Sequence, residues 1–155
     1  MLRDFTWGDF ADWYLEIAKI EKDKDSILLG ILSDLLRLWH PFMPFVTEYV
    51  WGLMGNDKQL IVSEWPDGTS SNVQQPTSQI VNFETLRALI TDIRRLRSEN
   101  GVEAGAFVKV AMVADESARK LVEENLAVVK QMARLEAVDF ADAVEQGWPT
   151  VMSGA

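Results

Sequence analysis

The chain predicts a mainly α fold: a helical bundle over residues 1–101 followed by a small α/β unit over residues 102–155. Three observations predict it. Apolar residues recur at helical spacing through four stretches before Gly101, and the period changes to alternation after Gly105. A composition of 48% hydrophobic and 25% charged residues is that of a water-exposed domain with an ordinary core, and 155 residues suffice to bury one.

Asp9 precedes Phe10, Trp13, Tyr14 and Ile17, which share one face while Asp12, Glu16 and Lys19 lie outside it, so residues 9–22 are expected to be a helix. The polar patch Glu21-Lys22-Asp23-Lys24-Asp25 interrupts the pattern. Ser26 is placed to cap a second helix reaching Trp39, which Pro41 ends because a residue before proline avoids helical dihedrals. Pro44 suits the first turn of a third helix, with Phe45, Tyr49 and Leu53 along its apolar side and Gly55-Asn56 as its stop. Leu60-Ile61-Val62 reads as a short extended run ending at Trp65-Pro66, and Asp67 to Asn72 as a polar loop.

Ile80 to Asn100 is expected to be the fourth helix, with Leu86, Leu89, Ile90, Ile93 and Leu96 on one face and Gly101 closing its end. Val108, Val110 and Met112 then alternate as in a half-buried strand. A helix from Glu116 to Arg134 buries Leu121, Val122, Val128, Val129 and Met132, and Leu135 to Phe140 reads as a second strand despite Asp139. Strand, helix and strand in succession define the α/β appendage, with its boundary at Gly101–Gly105.

A formal net charge of -9, from 24 acidic and 15 basic side chains, repels a polyanion on average, so RNA binding requires a local basic stripe. The absence of cysteine excludes disulfides and thiolate chemistry and fits a reducing cytoplasm. The longest apolar stretch, Ile27 to Trp39, is shorter than the roughly 18 residues of a membrane span and contains Asp34 and Arg37. The first residues lack the basic-then-apolar pattern of a secretory signal. No membrane association and no targeting segment are expected.

Catalytic acid–base work usually enlists histidine, and the sole one here, His40, sits in an aromatic turn between helices, where packing explains it. The carboxylates are scattered over helix surfaces, and Gly101 and Gly105 flank a strand entry instead of forming a phosphate loop. No catalytic residue and no metal site are therefore expected. Six tryptophans could stack on unpaired bases, but their positions at helix junctions assign most of them to the core.

The basic residues carry the functional reading. Arg87, Arg94, Arg95 and Arg97 all fall on the fourth helix; Arg87 and Arg94 align at the edge of its apolar face, Arg95 points away, and Arg97 lands within the apolar arc. Such an Arg97 must reach past the core or pair with a carboxylate such as Glu48, because an unpaired buried charge is costly. Two readings stand side by side: a solvated face with one structural ion pair, or a stripe of guanidinium forks that hold RNA phosphates.

Four strings then carry a resemblance. Phe5-Thr6-Trp7-Gly8-Asp9-Phe10-Ala11-Asp12-Trp13-Tyr14-Leu15-Glu16 resembles the F-x-W-x-x-F-x-D-W-Y string of valyl-tRNA synthetases. Leu38 to Trp51 is similar to the L-L-H-P-F-M-P-F segment shared by the valine, isoleucine and leucine enzymes. Leu60 to Pro66 resembles the W-P strand that follows, and Ile93-Arg94-Arg95-Leu96-Arg97-Ser98-Glu99 the valine enzymes' arginine-bearing helix. The resemblance covers residues 4–140 and implies a bundle of the class I synthetase anticodon-binding type, whose first helix would lie upstream, joined to a junction domain. It also implies tRNA for valine as partner, and the arginine stripe read above then supplies the candidate RNA contacts Arg87, Arg94, Arg95 and Arg97, chiefly Arg94 and Arg87.

The H-I-G-H and K-M-S-K-S motifs of the parent's ATP site are absent, so the resemblance assigns ATP, magnesium and catalysis to another domain of the parent chain. An apolar face left uncovered would be covered by that domain or by a dimer. The alternatives are a helical protein-interaction module of the same ancestry, or the equivalent domain of an isoleucine, leucine or methionine enzyme.

Overall fold

The computed structural model describes residues 1–21, 24–66, 77–143, 147 and 149–152. The expected loop at Asp67 to Asn72, part of the polar patch after the first helix, and Trp148 lie outside them. The chain forms two compact units, Met1–Val73 and Gln74–Ala155.

In the first unit, helix α1 comprises Leu2–Asp4, a π-wound stretch Phe5–Tyr14 and Leu15–Ile20, running on without a break in helical dihedrals. It starts seven residues before the expected Asp9 because Thr6 and Trp7 dock its early turns. The Thr6 hydroxyl donates to Leu2 O at 2.8 Å and accepts from the Trp39 indole at 3.0 Å, while the Trp7 and Trp39 rings meet edge-on at 5.8 Å. Phe10 and Trp13 are buried as the spacing predicts. Helix α2 (Asp25–Trp39) begins one residue ahead of the expected cap, and Lys24 occupies that cap without a side-chain capping bond.

Helix α3 (Pro44–Leu53) has proline in its first turn, as expected, but it is turned the other way. Thr47 and Trp51 face inward, while Phe45, Tyr49 and Leu53, at spacings of four, form an exposed stripe. Trp51 packs with Leu36 and Leu60, flanked by Leu32, Val50 and Met54, and its indole donates to Lys58 O at 2.9 Å. This small core corrects the reading of Leu60–Val62, which is a 3-10 turn and not an extended run. Leu60 is drawn inward, its N–H bonded to Glu48 Oε1 at 2.8 Å, and Ile61 and Val62 are left exposed. β-branched residues favour a strand only where a pleated surface receives them.

The second unit holds helix α4 (Thr77–Glu99), strand β1 (Val108–Met112), helices α5 (Glu116–Glu124) and α6 (Leu126–Ala133), and strand β2 (Leu135–Phe140). α4, expected at Ile80 to Asn100 with the bundle, packs here against α6, with Leu86, Ile90 and Ile93 buried. Its end is a Schellman closure: Val102 N–H bonds Arg97 O at 3.0 Å and Gly101 N–H bonds Ser98 O at 3.2 Å, with Gly101 at φ 67°. A Cβ on Gly101 would meet nothing within 4 Å, so Gly101→Ala should cost only the left-handed backbone penalty, about 1 kcal/mol, read as a lower urea midpoint.

β1 and β2 pair in parallel, from Val108 with Leu135 to Met112 with Phe140, with a register shift after Val108. Asp139 faces solvent and does not interrupt β2. The single helix expected at Glu116 to Arg134 is two, broken at Asn125 (φ -113°, ψ 22°), whose side-chain amide donates to Leu121 O at 2.9 Å. That bond to a carbonyl four residues back offers the backbone an alternative to helix. Val122, Val128, Val129, Met132, Ala133 and Leu135 complete the buried layer.

Asp115 caps α5, its Oδ1 accepting from Ala118 N–H at 2.7 Å and from the Ser117 hydroxyl at 3.0 Å. The Ala118 backbone bond first, and the Ser117 bond second, hold its carboxyl below the ordinary carboxylate pKa. A depressed folded-state pKa means that the cap's contribution is present above the ordinary carboxylate range and is lost as pH falls through the folded value. Asp115→Asn, which keeps an uncharged cap, should therefore flatten the acid limb of a stability–pH curve followed by circular dichroism.

Candidate nucleic-acid interface

The four arginines of α4 have different surroundings. Arg87 stands 3.9 Å from Glu84 and Arg95 3.0 Å from Asp92, each a carboxylate one turn earlier on the same helix. In each pair one partner is exposed and the other half-buried, and pairs of this kind at a helix surface contribute little to stability. Arg94, seven residues from Arg87 and so about 10 Å further along the helix, is exposed but donates Nε–H to Met132 O at 3.0 Å.

Arg97 is buried, at 9% exposure, and forms no ion pair with a carboxylate among the described residues. Its Nη1 donates to Ala133 O at 2.6 Å and Arg134 O at 2.8 Å, and its Nη2 to Ala106 O at 2.6 Å and Glu103 O at 3.2 Å. The expected partner Glu48 is instead spent on Leu60 N–H. The physical reason is the end of α6: its last carbonyls have no helical partner and carry the negative end of the helix dipole. Arg134 in the left-handed conformation (φ 53°) closes that end, and Arg97 gathers its carbonyls together with those of the loop before β1. Arg94 and Arg97 are thus brought together at the end of α6, while Arg87 and Arg95 pair along α4 itself.

His40 Nδ1 lies 2.8 Å from the Thr47 hydroxyl, whose one proton is directed at Met43 O (2.9 Å) and Pro44 O (3.2 Å). His40 is therefore the donor through Nδ1–H, and in its neutral form its Nε2 is an acceptor. Beside it is a cavity of about 90 Å³ lined by Arg37, His40, Leu60, Ser63, Glu64 and Trp65. The helical period does not reveal this cluster, since it is assembled by the 3-10 turn that the sequence presents as extended. Two tryptophans expected in the core are exposed, Trp7 at 56% and Trp65 at 60%.

Among the described residues no three histidine, aspartate or glutamate side chains gather as a metal cluster, and the Arg37–Trp65 cavity is smaller than a nucleoside triphosphate. No helix among them is long and apolar enough to cross a membrane.

The chain thus has two units, the second an arginine-bearing helix packed against an α/β layer. Residues 1–112 match the family described as the anticodon-binding domain of tRNA ligase, and the chain belongs to that family. Among its relatives is a valine–tRNA ligase of Corynebacterium diphtheriae, 38% identical over 90% of this chain and 17% of the relative. A chloroplastic/mitochondrial valine–tRNA ligase of Arabidopsis thaliana is 33% identical over 90% of the chain and 15% of the relative. The valine–tRNA ligase of Listeria innocua is 32% identical over 99% of the chain and 19% of the relative, so the likeness extends beyond residues 4–140. The chain spans less than a fifth of the length of these relatives.

Proposed function

We propose that the chain is the tRNA-holding part of a longer valine–tRNA ligase and acts by binding, not by chemistry, on the anticodon arm of valine tRNA. The observation that carries this is the likeness to valine–tRNA ligases over nine-tenths of the chain, together with its family membership. In family terms we divide the chain at residues 101/102, into an anticodon-binding part and a junction part. ATP, magnesium and the attachment of valine belong to the remainder of the longer protein, in a cytoplasmic setting. The uncovered Phe45–Tyr49–Leu53 stripe is assigned to that catalytic remainder or to a second copy. Sedimentation of the chain alone separates the two, a dimer meaning the second.

Within α4, Arg87 and Arg95 exchange their carboxylate partners for RNA phosphates, Arg94 adds its charge beside them, and Arg97 serves by holding the helix end to α6. With a net charge of -9, affinity rests on this local stripe and falls steeply with salt. Titration of the chain with transcribed valine tRNA at several salt concentrations tests it. Arg87→Glu with Arg95→Glu should weaken binding and flatten the salt slope by roughly one unit for each phosphate that is no longer neutralised. A double variant that binds like wild type with an unchanged slope sinks the assignment.

A further inference from the structure

The cavity between the end of α2 and the 3-10 turn is built unlike the arginine stripe, and its chemistry points to a different part of an RNA. Its donor is Arg37, laid face-on above the buried Trp51 ring with its carbon 4.9 Å from the centroid, and fixed along one edge by Nη1 to Asp34 at 3.0 Å. His40 also lines it, and with Nδ1–H given to Thr47 its other ring nitrogen, Nε2, is the one left to accept. Glu64 is a second acceptor at the rim, and Trp65 offers an indole at 60% exposure. A phosphate suits this set less well than a neutral base edge, because the one guanidinium stands with two carboxylates, Asp34 and Glu64, whose charge repels an anion. The space, about 90 Å³, is that of roughly three waters, enough for the edge of one ring and not for a whole nucleotide.

We propose that this cavity receives the Watson–Crick edge of one unpaired nucleobase, whose face stacks on Trp65. That edge sets a donor beside an acceptor, which Arg37 and His40 answer in kind, and it is accessible only where the base is unpaired. The cavity thereby distinguishes a loop nucleotide from a duplex, which the phosphate-directed arginines of α4 do not. This site rests on the tRNA-binding reading above and adds to it the recognition of a base.

The test is equilibrium binding of the chain to transcribed valine tRNA and to the same RNA with each anticodon-loop nucleotide in turn made abasic. Stacking on one aromatic contributes an order of magnitude in affinity. One abasic position should therefore weaken the wild-type chain roughly tenfold. Trp65→Ala should weaken binding of intact RNA by a similar factor but lose nothing further on that abasic RNA, and Trp65→Phe should restore most of the affinity. RNA should also quench the indole emission of wild type more than that of Trp65→Phe, a signature that a purely structural tryptophan would not give. If Trp65→Ala binds intact RNA as wild type does, the base site is overturned while salt-dependent binding through Arg87 and Arg95 stands. If the wild-type chain binds no tRNA at all, the functional reading and the base site fall together.

Discussion

Arg97→Ala is expected to destabilise the second unit by about 3–5 kcal/mol, because it removes a donor from four backbone carbonyls at once. Of these, Arg134 O keeps Val108 N–H and Glu103 O keeps Ala106 N–H, while Ala133 O and Ala106 O keep no other donor among the described residues. Each buried carbonyl left without a partner costs on the order of 1–3 kcal/mol. The carbonyls of Ala133 and Arg134 belong to a helix end whose dipole the guanidinium also opposes. Arg97→Lys retains the charge but not the planar fork, so it should lose roughly half as much. Urea denaturation followed by circular dichroism reads the effect as a lower midpoint at constant slope. The same variant separates a structural from an RNA-contacting Arg97: measured where it is folded, its salt slope for tRNA should match wild type, whereas Arg87→Glu with Arg95→Glu should flatten it. A stability loss under about 1 kcal/mol would show that the carbonyls find other partners and that the staple is not what holds α4 to α6.

That staple also marks where the sequence stopped being informative. Helical periodicity placed Arg97 in the apolar arc of α4 and required a partner for it, and both inferences hold, since Arg97 is buried and bonded through both Nη groups. The partner's identity was not legible, because backbone carbonyls leave no trace in composition; a search among side chains returns a carboxylate such as Glu48. The first strand was legible from its alternation and the Gly101 closure from its residue type, as each depends on local dihedrals. The orientation of α3 was not. Its apolar residues are spread around the helix, so Phe45-Tyr49-Leu53 and Thr47-Trp51 compete for the inward face, and what decides is tertiary: Trp51 reaches Lys58 O while Thr47 is tied to His40. The same decision pulls Leu60 inward, overrides the strand propensity of Leu60-Ile61-Val62, and leaves Trp65 beside Arg37 and His40.

Trp51 is accordingly the residue of the first unit on which most depends. It is buried to 6% exposure against Leu36 and Leu60, donates its indole N–H to Lys58 O at 2.9 Å, accepts the Asn56 amide on its carbonyl at 3.1 Å, and carries the Arg37 guanidinium on its ring. Trp51→Ala should cost about 3–5 kcal/mol as a large-to-small change in a core too small to refill the space. Domains of this size have only about 5–15 kcal/mol in total, so the urea midpoint should fall by a large fraction. Trp51→Phe keeps much of the packing and a ring beneath Arg37 but loses the bond to Lys58 O. It should cost only about 1–2 kcal/mol, and tRNA binding through the Arg37–His40 cavity should survive in it. Equal losses in the alanine and phenylalanine variants would assign the stability to the Lys58 bond instead of to packing. A loss below about 1 kcal/mol in Trp51→Ala would mean that Leu36 and Leu60 are held by something other than this ring.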